Sequence, residues 1–346
     1  MTLTTAKSVS ERAIAIDAMS GDFGPRVIVP SALQFLQQNP QRQLILTGDQ
    51  AQISKLIPRK YAHKIDIVHT TDVVAMDDLP SVALRSKPKS SMHLAIDLIK
   101  SGHAAACVSA GNTGALMAIS KIHLRMIEGV NRPAICGPVP TLDGHCFLVD
   151  MGANVDCEAS DLLEFALMGK VLAEAVDGNL NPSIALLNNG EELSKGNQQV
   201  KRAAELFVAN QDVNYVGYAE GHKLYQAVAD VVVCDGFVGN IALKASEGVA
   251  GYILETIKKE IKRDLFTRIL YFLGRSEIRR IKSLVDPRRF NGASFLGLNG
   301  IVVKSHGHAD ELAFLHALQY AEKMLAVDIV NQIKQITAKA KAQDTP

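Results

Sequence analysis

Short apolar runs, many of them β-branched, recur along the chain and alternate with longer stretches of helical periodicity. The runs are Ala13–Ile16, Gln43–Leu46, Ile65–Val68, Ala105–Val108, Cys146–Val149, Ser183–Leu187, Tyr215–Gly217, Val231–Cys234 and Ile301–Val303. Each is apolar on both faces, which is the pattern of parallel strands covered by helices on either side. Met92–Lys100, Leu162–Ala175 and Gln199–Ala209 read as helices between them. Alternation at this spacing predicts an α/β protein, three layers α/β/α around a mostly parallel sheet with right-handed crossovers.

Polar and glycine-rich residues gather directly after the runs. Ala13–Ile16 leads into DAMSGDFGP, Gln43–Leu46 into TGD, Ala105–Val108 into SAGNTGA and Cys146–Val149 into DMGANVD. Ser183–Leu187 leads into NNGEELSKG, Val231–Cys234 into DGFVGN and Ile301–Val303 into KSHGHAD. Ligand sites of open α/β sheets lie outside the carboxyl ends of the strands. Seven such loops therefore predict one polar cleft along a single edge of the sheet.

One segment departs from this pattern. Lys258 to Arg289 holds eleven Lys/Arg against four Asp/Glu, while the whole chain of 346 residues carries only +1, so the remainder is at −6. Leu265, Phe266, Ile269, Leu270 and Leu273 share one helical stripe with Phe272 beside it, and Ile278, Ile281 and Val285 form a second after Gly274. A basic amphipathic helical hairpin over 255–290 is expected, set within one α/β domain spanning 1–346. Such a hairpin suits a membrane surface or an acidic partner, and equally a packed core face. The near-neutral total argues against a general nucleic-acid binder. No run of about 18 apolar residues occurs, and the first residues, MTLTTAKSVSERAIAID, show no secretory pattern. Five cysteines without a CxxC pair read as reduced thiols of a cytoplasmic protein, with no metal site.

The loops suggest anion chemistry. In Ser109-Ala-Gly111-Asn112-Thr113-Gly114 the glycines let N–H groups converge at a helix start, where the dipole favours phosphate. The Asp235–Asn240 loop repeats this before a helix that carries Lys244 one turn on. Lys195, after Glu191 and Glu192, is placed to balance phosphate or oxyanion charge. Asp17 and Asp22 flank Gly21 and are expected to order the cleft together with Glu191. His306 and His308 lack a third ligand in sequence, so a hydrogen-bonding role is favoured over metal. Cys157 has no neighbouring base and reads as a buried thiol. No GxGxxG, GxxxxGK[ST] or GxSxG motif is present.

Taken in order, AIDAMSGDFGP, CVSAGNTGALMA, LVDMGANVDC, ALLNNGEELSKG, VVVCDGFVGNIALKASEG and NGASFLGLNGIVVKSHGHAD resemble the phosphate acyltransferase (PlsX, acyl-ACP:phosphate acyltransferase) family, from about Ala13 to Ala326. The resemblance implies a phosphotransacetylase/isopropylmalate-dehydrogenase-like fold with a protruding hairpin. It implies transfer of a fatty acyl group from acyl-[acyl-carrier-protein] to inorganic phosphate, without cofactor, for phospholipid synthesis. The product would pass to a membrane glycerol-3-phosphate acyltransferase. It further implies a homodimer, peripheral on the inner face of the membrane through Leu265, Phe266, Ile269, Leu270, Phe272 and Leu273. Under this reading Ser109, Gly111, Asn112, Thr113 and Gly114 hold phosphate, and Lys195 and Lys244 balance its charge. Asn154, Asp235 and Asn240 orient the thioester, and His306 donates to an oxygen. Three positions depart from the family pattern. Ser20 stands for a glycine and is expected to narrow its loop, Asn291 stands where the family tends to have a glycine and is expected to keep a left-handed turn, and Phe295 stands where it tends to have another apolar residue. An acyl-CoA-dependent phosphotransacetylase and a non-catalytic docking scaffold are the alternatives.

Overall fold

The computed structural model describes residues 13–264, 267, 271–284 and 286–343. Eleven strands form one sheet in the order β3-β2-β1-β4-β11-β10-β5-β6-β9-β7-β8. They are β1 Ala13–Asp17, β2 Leu44–Gly48, β3 Ile65–His69, β4 Ala104–Ser109, β5 Ala134–Thr141, β6 Gly144–Val149, β7 Ser183–Asn188, β8 Asn214–Glu220, β9 Val231–Val233, β10 Ala293–Leu296 and β11 Ile301–Lys304. The nine expected strands are all present. The anticipated helices appear as Ser91–Lys100, Ala159–Asp177 and Gln198–Ala209.

The two additional strands change the topology. β10 is antiparallel to both β11 and β5, and β5 is antiparallel to β6. Strands β3, β2, β1, β4 and β11 thus run one way and β6, β9, β7 and β8 the other. The polar loops therefore do not share one edge as expected. Those after β1, β2, β4 and β11 leave in one direction and those after β6, β9 and β7 in the other. β5 escapes sequence reading because Gly137, Pro138 and Pro140 interrupt it. Both prolines fall beyond Cys136, the last residue paired with β10, where one side of the strand needs no donors.

Register brings the two sets of loops back together. Ser109 is level with Lys304, Lys304 with Ala293, Gly137 with Leu148, and Leu148 with Val232. A Cβ on Gly137 would lie 3.4 Å from Ala293, which closes the row at the centre. β1, β4 and β11 end on this row, and β6 and β9 end one residue beyond it. The carboxyl ends of oppositely running strands thus meet along a line through the middle of the sheet.

One face of the sheet is covered by a continuous core from Ile14 to Ile333, including Phe35, Phe147, Phe165 and Phe314. The opposite face carries two separate clusters. One gathers Ala15, Cys107, Ala115, Leu116, Ile135 and Phe295, and the other Cys146, Leu148, Ala185, Val232 and Cys234. Met151 packs against both. Strand alternation puts Asp17, Ser109, Lys304, Ala293 and Gly137 on this interrupted face, where small residues floor the gap.

Phe295, on that face, is nearly fully buried and extends the first cluster. The 27-residue helix Gly236–Lys262 begins well before the expected hairpin, and only Gly236 and Gly239 of it are buried. Helix Arg275–Leu284 follows. Leu265, Phe266, Ile269 and Leu270 lie outside the described residues, whereas Phe272 and Leu273 are 70% and 71% exposed. Among the described residues no helix is long and apolar enough to cross a membrane.

Candidate active site

Three loops lock together on the β1–β4–β11 side. Ser109 Oγ donates to Asp17 at 2.8 Å and accepts from the Gly111 N–H at 3.1 Å. Burial pushes the Asp17 carboxyl up, and the Ser91 and Ser109 hydroxyls pull against that. Ser20 does more than narrow its loop: its hydroxyl donates to Asp17 O at 2.7 Å and accepts from Ala110 N–H at 2.9 Å. Gly21, at φ +71°, is required there, since a Cβ would stand 3.0 Å from both Ala110 Cβ and Gly307 O. Asp22 N–H reaches Gly307 O at 3.0 Å, and the Asp22 carboxylate pairs with His308.

Asn112 caps helix Thr113–Leu124 by accepting from Ala115 N–H at 2.9 Å, and its amide donates to Met76 O and Asp78 O at 2.7 and 3.0 Å. Ser109 and Asn112 thus use their side chains to shape the loop. The exposed residues Thr113 and Gly114 carry the first-turn N–H groups that have no partner within the helix. These are the groups that the loop offers an anion.

On the other side Asp150 organises DMGANVD. Its carboxylate accepts from the N–H groups of Ile135, Gly152, Ala153 and Asn154 and from the Asn154 amide, at 3.2, 3.1, 2.8, 2.9 and 2.8 Å. Burial pushes its carboxyl up while these donors pull it down. The Asn154 amide also donates to Pro133 O at 2.7 Å. Asp235 caps helix Gly236–Lys262, accepting from Phe237 N–H and from Cys157 N–H, both at 2.8 Å. The helix start presses on the Asp150 loop so closely that a Cβ on Gly239 would lie 2.0 Å from Asp150 O. Asn240 faces Gly152, with 3.3 Å between its Cβ and an added Cβ there. Burial first, then Asp235, pushes the Cys157 thiol to about 12, where it is no nucleophile at neutral pH.

The sides meet across the floor. Met151 reaches over Gly137, where a Cβ would lie 2.7 Å from its methyl. Asn240, Lys244 and Glu247 lie on one stripe of the long helix, and the Glu247 carboxylate is near enough to bear on His306. His306 Nδ1 accepts from His308 N–H at 3.3 Å, which leaves its proton on Nε2. Burial holds its pKa below the usual value, so at neutral pH the ring is uncharged and presents one N–H donor.

The loop after β7 stands one strand farther out than β9. Lys195 is exposed there, with its N–H bonded to Glu192 O at 2.9 Å, and Glu191 pairs with Lys223 at 2.5 Å. Two site residues escaped sequence reading, Asp150 and Lys304. Each directly follows an apolar run as Asp17 does, and that position is the signal that could have found them. The Lys304 amine is held against Ser305 O. Burial pushes its pKa down to about 8.

Comparison with known proteins fits this geometry. The family model described as a fatty acid synthesis protein matches residues 12–332. A phosphate acyltransferase of Methylococcus capsulatus is 49% identical over 323 residues, covering 92% of this chain and 95% of that protein. The chain belongs to the phosphate acyltransferase family. Another member, from Pseudomonas syringae pv. syringae, is 51% identical over 311 residues, 89% of this chain and 91% of that one. Membership makes this chain a transferase. Phosphotransacetylases of Streptococcus pyogenes and Staphylococcus aureus share the three-layer fold with TM-scores of 0.60 and 0.57, at 17% and 14% identity, each over 91% of this chain and 94% of that one.

Asp150→Ala leaves several N–H groups of a half-buried loop without their acceptor. Thermal or denaturant unfolding should register a loss of about 3 kcal/mol.

Proposed function

We propose that this enzyme transfers a fatty acyl group from the thioester of an acyl-carrier-protein to inorganic phosphate, yielding acyl phosphate for phospholipid synthesis. The observation that carries the reading is the row Asp17–Ser109–Lys304, ending beside the open first turn at Thr113 and Gly114. Register sets Lys304 level with Ser109, on the strand that leads into that helix start, and a desolvated cation near main-chain donors at a helix N-terminus is the combination that holds a phosphate dianion.

The reaction needs little acid or base strength. A phosphate oxygen forms a bond to the thioester carbonyl carbon, the C–S bond breaks, and the sulfur leaves with the electron pair. A thiol with a pKa of about 8.5 departs without a strong acid. The N–H groups of Thr113 and Gly114 and the Lys304 amine hold phosphate, while Ser109, Gly111 and Asn112 shape their loop. His306 Nε2–H faces the developing oxyanion, and Asn240 and Lys244 close from the helix side. Asn154 and Asp235 keep the opposing loop in register, and Lys195 contributes charge from the rim. Positioning and fixed dipoles supply the rate, with no acyl-enzyme.

The test is phosphate-dependent thiol release from acyl-carrier-protein by the pure enzyme, with acyl-CoA as the competing donor. Release that needs no phosphate, or a preference for acyl-CoA, overturns the respective half of the reading.

Lys304 gives the site a pH signature. Its charge is lost as pH rises through about 8, so KM for phosphate should climb on that alkaline side, where phosphate is already mostly the dianion. Lys304→Arg, which stays charged, should flatten the climb, and Lys304→Met should lower kcat/KM for phosphate roughly 10²-fold.

We further propose that the enzyme works as a homodimer at the cytoplasmic face of a membrane, docking through the 255–290 hairpin and passing its product to a membrane glycerol-3-phosphate acyltransferase. The exposure of Phe272 and Leu273 within a basic segment supports this. Phe272→Glu with Leu273→Glu should abolish co-sedimentation with anionic lipid vesicles while thiol release in solution continues.

A further inference from the structure

The segment that returns from the basic region to the sheet grips the loop carrying His306. Asn291 is not the left-handed turn residue expected from sequence: at φ −78° and ψ 130° its backbone is extended, a conformation open to any residue. Its side chain instead makes three hydrogen bonds to a distant segment. Oδ1 accepts from His306 N–H at 2.9 Å, and Nδ2 donates to Ser305 Oγ at 2.8 Å and to Ala313 O at 2.7 Å. Ser305 is fully buried, and its N–H continues the β11–β4 ladder to Ser109 O at 2.9 Å. One side chain therefore ties the end of β11, the His306 main chain and the first turn of helix Glu311–Ala326 to a single point.

Three residues earlier, Arg288 closes a second clasp. It pairs with Asp286 and reaches Asp310, the cap of that same helix, at 2.8 Å. The KSHGHAD loop is thus held at residues 305, 306 and 310 from the same short segment. Nothing in the acyl-transfer chemistry requires Asn291 to touch substrate, and its donors and acceptor are all used within the protein.

We propose that Asn291 is a positioning residue for His306. This rests on the reading of His306 as a donor in the acyl-transfer site. With the His306 main chain fixed, the ring keeps its hydrogen bond from His308 N–H and its place near Glu247, Lys304, His308 and Asp22. Release of the main chain frees the ring to turn, and the donor at Nε2 loses its direction.

The test has two parts. Histidine ¹⁵N labelling and NMR titration read His306 without any substrate. Wild-type His306 should titrate below the ordinary value, and in Asn291→Ala its midpoint should move up toward it. The second part is a double-mutant cycle on thiol release. Asn291→Ala should lower kcat about tenfold with little change in KM for phosphate, as expected of a misdirected catalytic group. In a His306→Ala background it should cost nothing further. Asn291→Asp keeps an acceptor for the His306 N–H and should lie nearer the wild type than Asn291→Ala, which guards against a folding defect. An unshifted His306 titration, or losses that multiply independently of His306, overturns the proposal. A wild-type enzyme without phosphate-dependent release would instead remove the acyl-transfer reading, with the titration still deciding the link between Asn291 and His306.

Discussion

The structure depends on a reversal of strand direction at the centre of its sheet. β10 and β5 each run against a neighbour, so the strands on either side of them point toward a common line. Parallel strands ordinarily deliver their loops to one rim. Here two opposed groups deliver them to a shared row over Ala293 and Gly137. Those small residues leave room on one face, whereas the other face is sealed by an unbroken core.

Around that row, side chains and main chain divide the work. Ser109, Asn112, Asp150 and Asp235 use their side chains on neighbouring protein groups, and Asp17 accepts from the Ser109 hydroxyl. The loops are fixed before any ligand arrives, and dipoles held in place this way need no reorganisation when charge develops beside them. The first turn at Thr113 and Gly114 stays exposed beside them. The cysteines are buried, and burial first, then neighbouring carboxylates, raises the pKa of Cys107, Cys136 and Cys234.

Apolar runs made most of the sheet legible in the sequence, because strands buried on both faces cannot hide their pattern. β5 was hidden by its prolines and β10 by the glycines, Gly292 and Gly297, that make its surroundings read as a loop, and with them went the direction of half the sheet. Local spacing found the loops that set Asn112 and Asp235 at helix starts, but not that their side chains cap those helices. It could not find Lys304 as a desolvated cation, since burial is a property of the neighbours that β4 and β10 provide. Nor could it find the use of Asn291, whose three partners lie 14 to 22 positions further along the chain. The likeness in motif order foretold family and fold, but no run of residues says which polar atoms are already engaged.

The sheet order has a further consequence for how the chain acquires its shape during synthesis. β4 and β5 are close in sequence yet do not pair, because β11 and β10 stand between them. As a ribosome releases the chain, residues 13–124 and 134–233 emerge as two half-sheets, each with a bare inner edge. Only when residues 293–304 appear can the late hairpin slide into the gap and zip the halves into one. Until then both inner edges present unpaired main-chain groups, the kind of surface through which incomplete chains mispair.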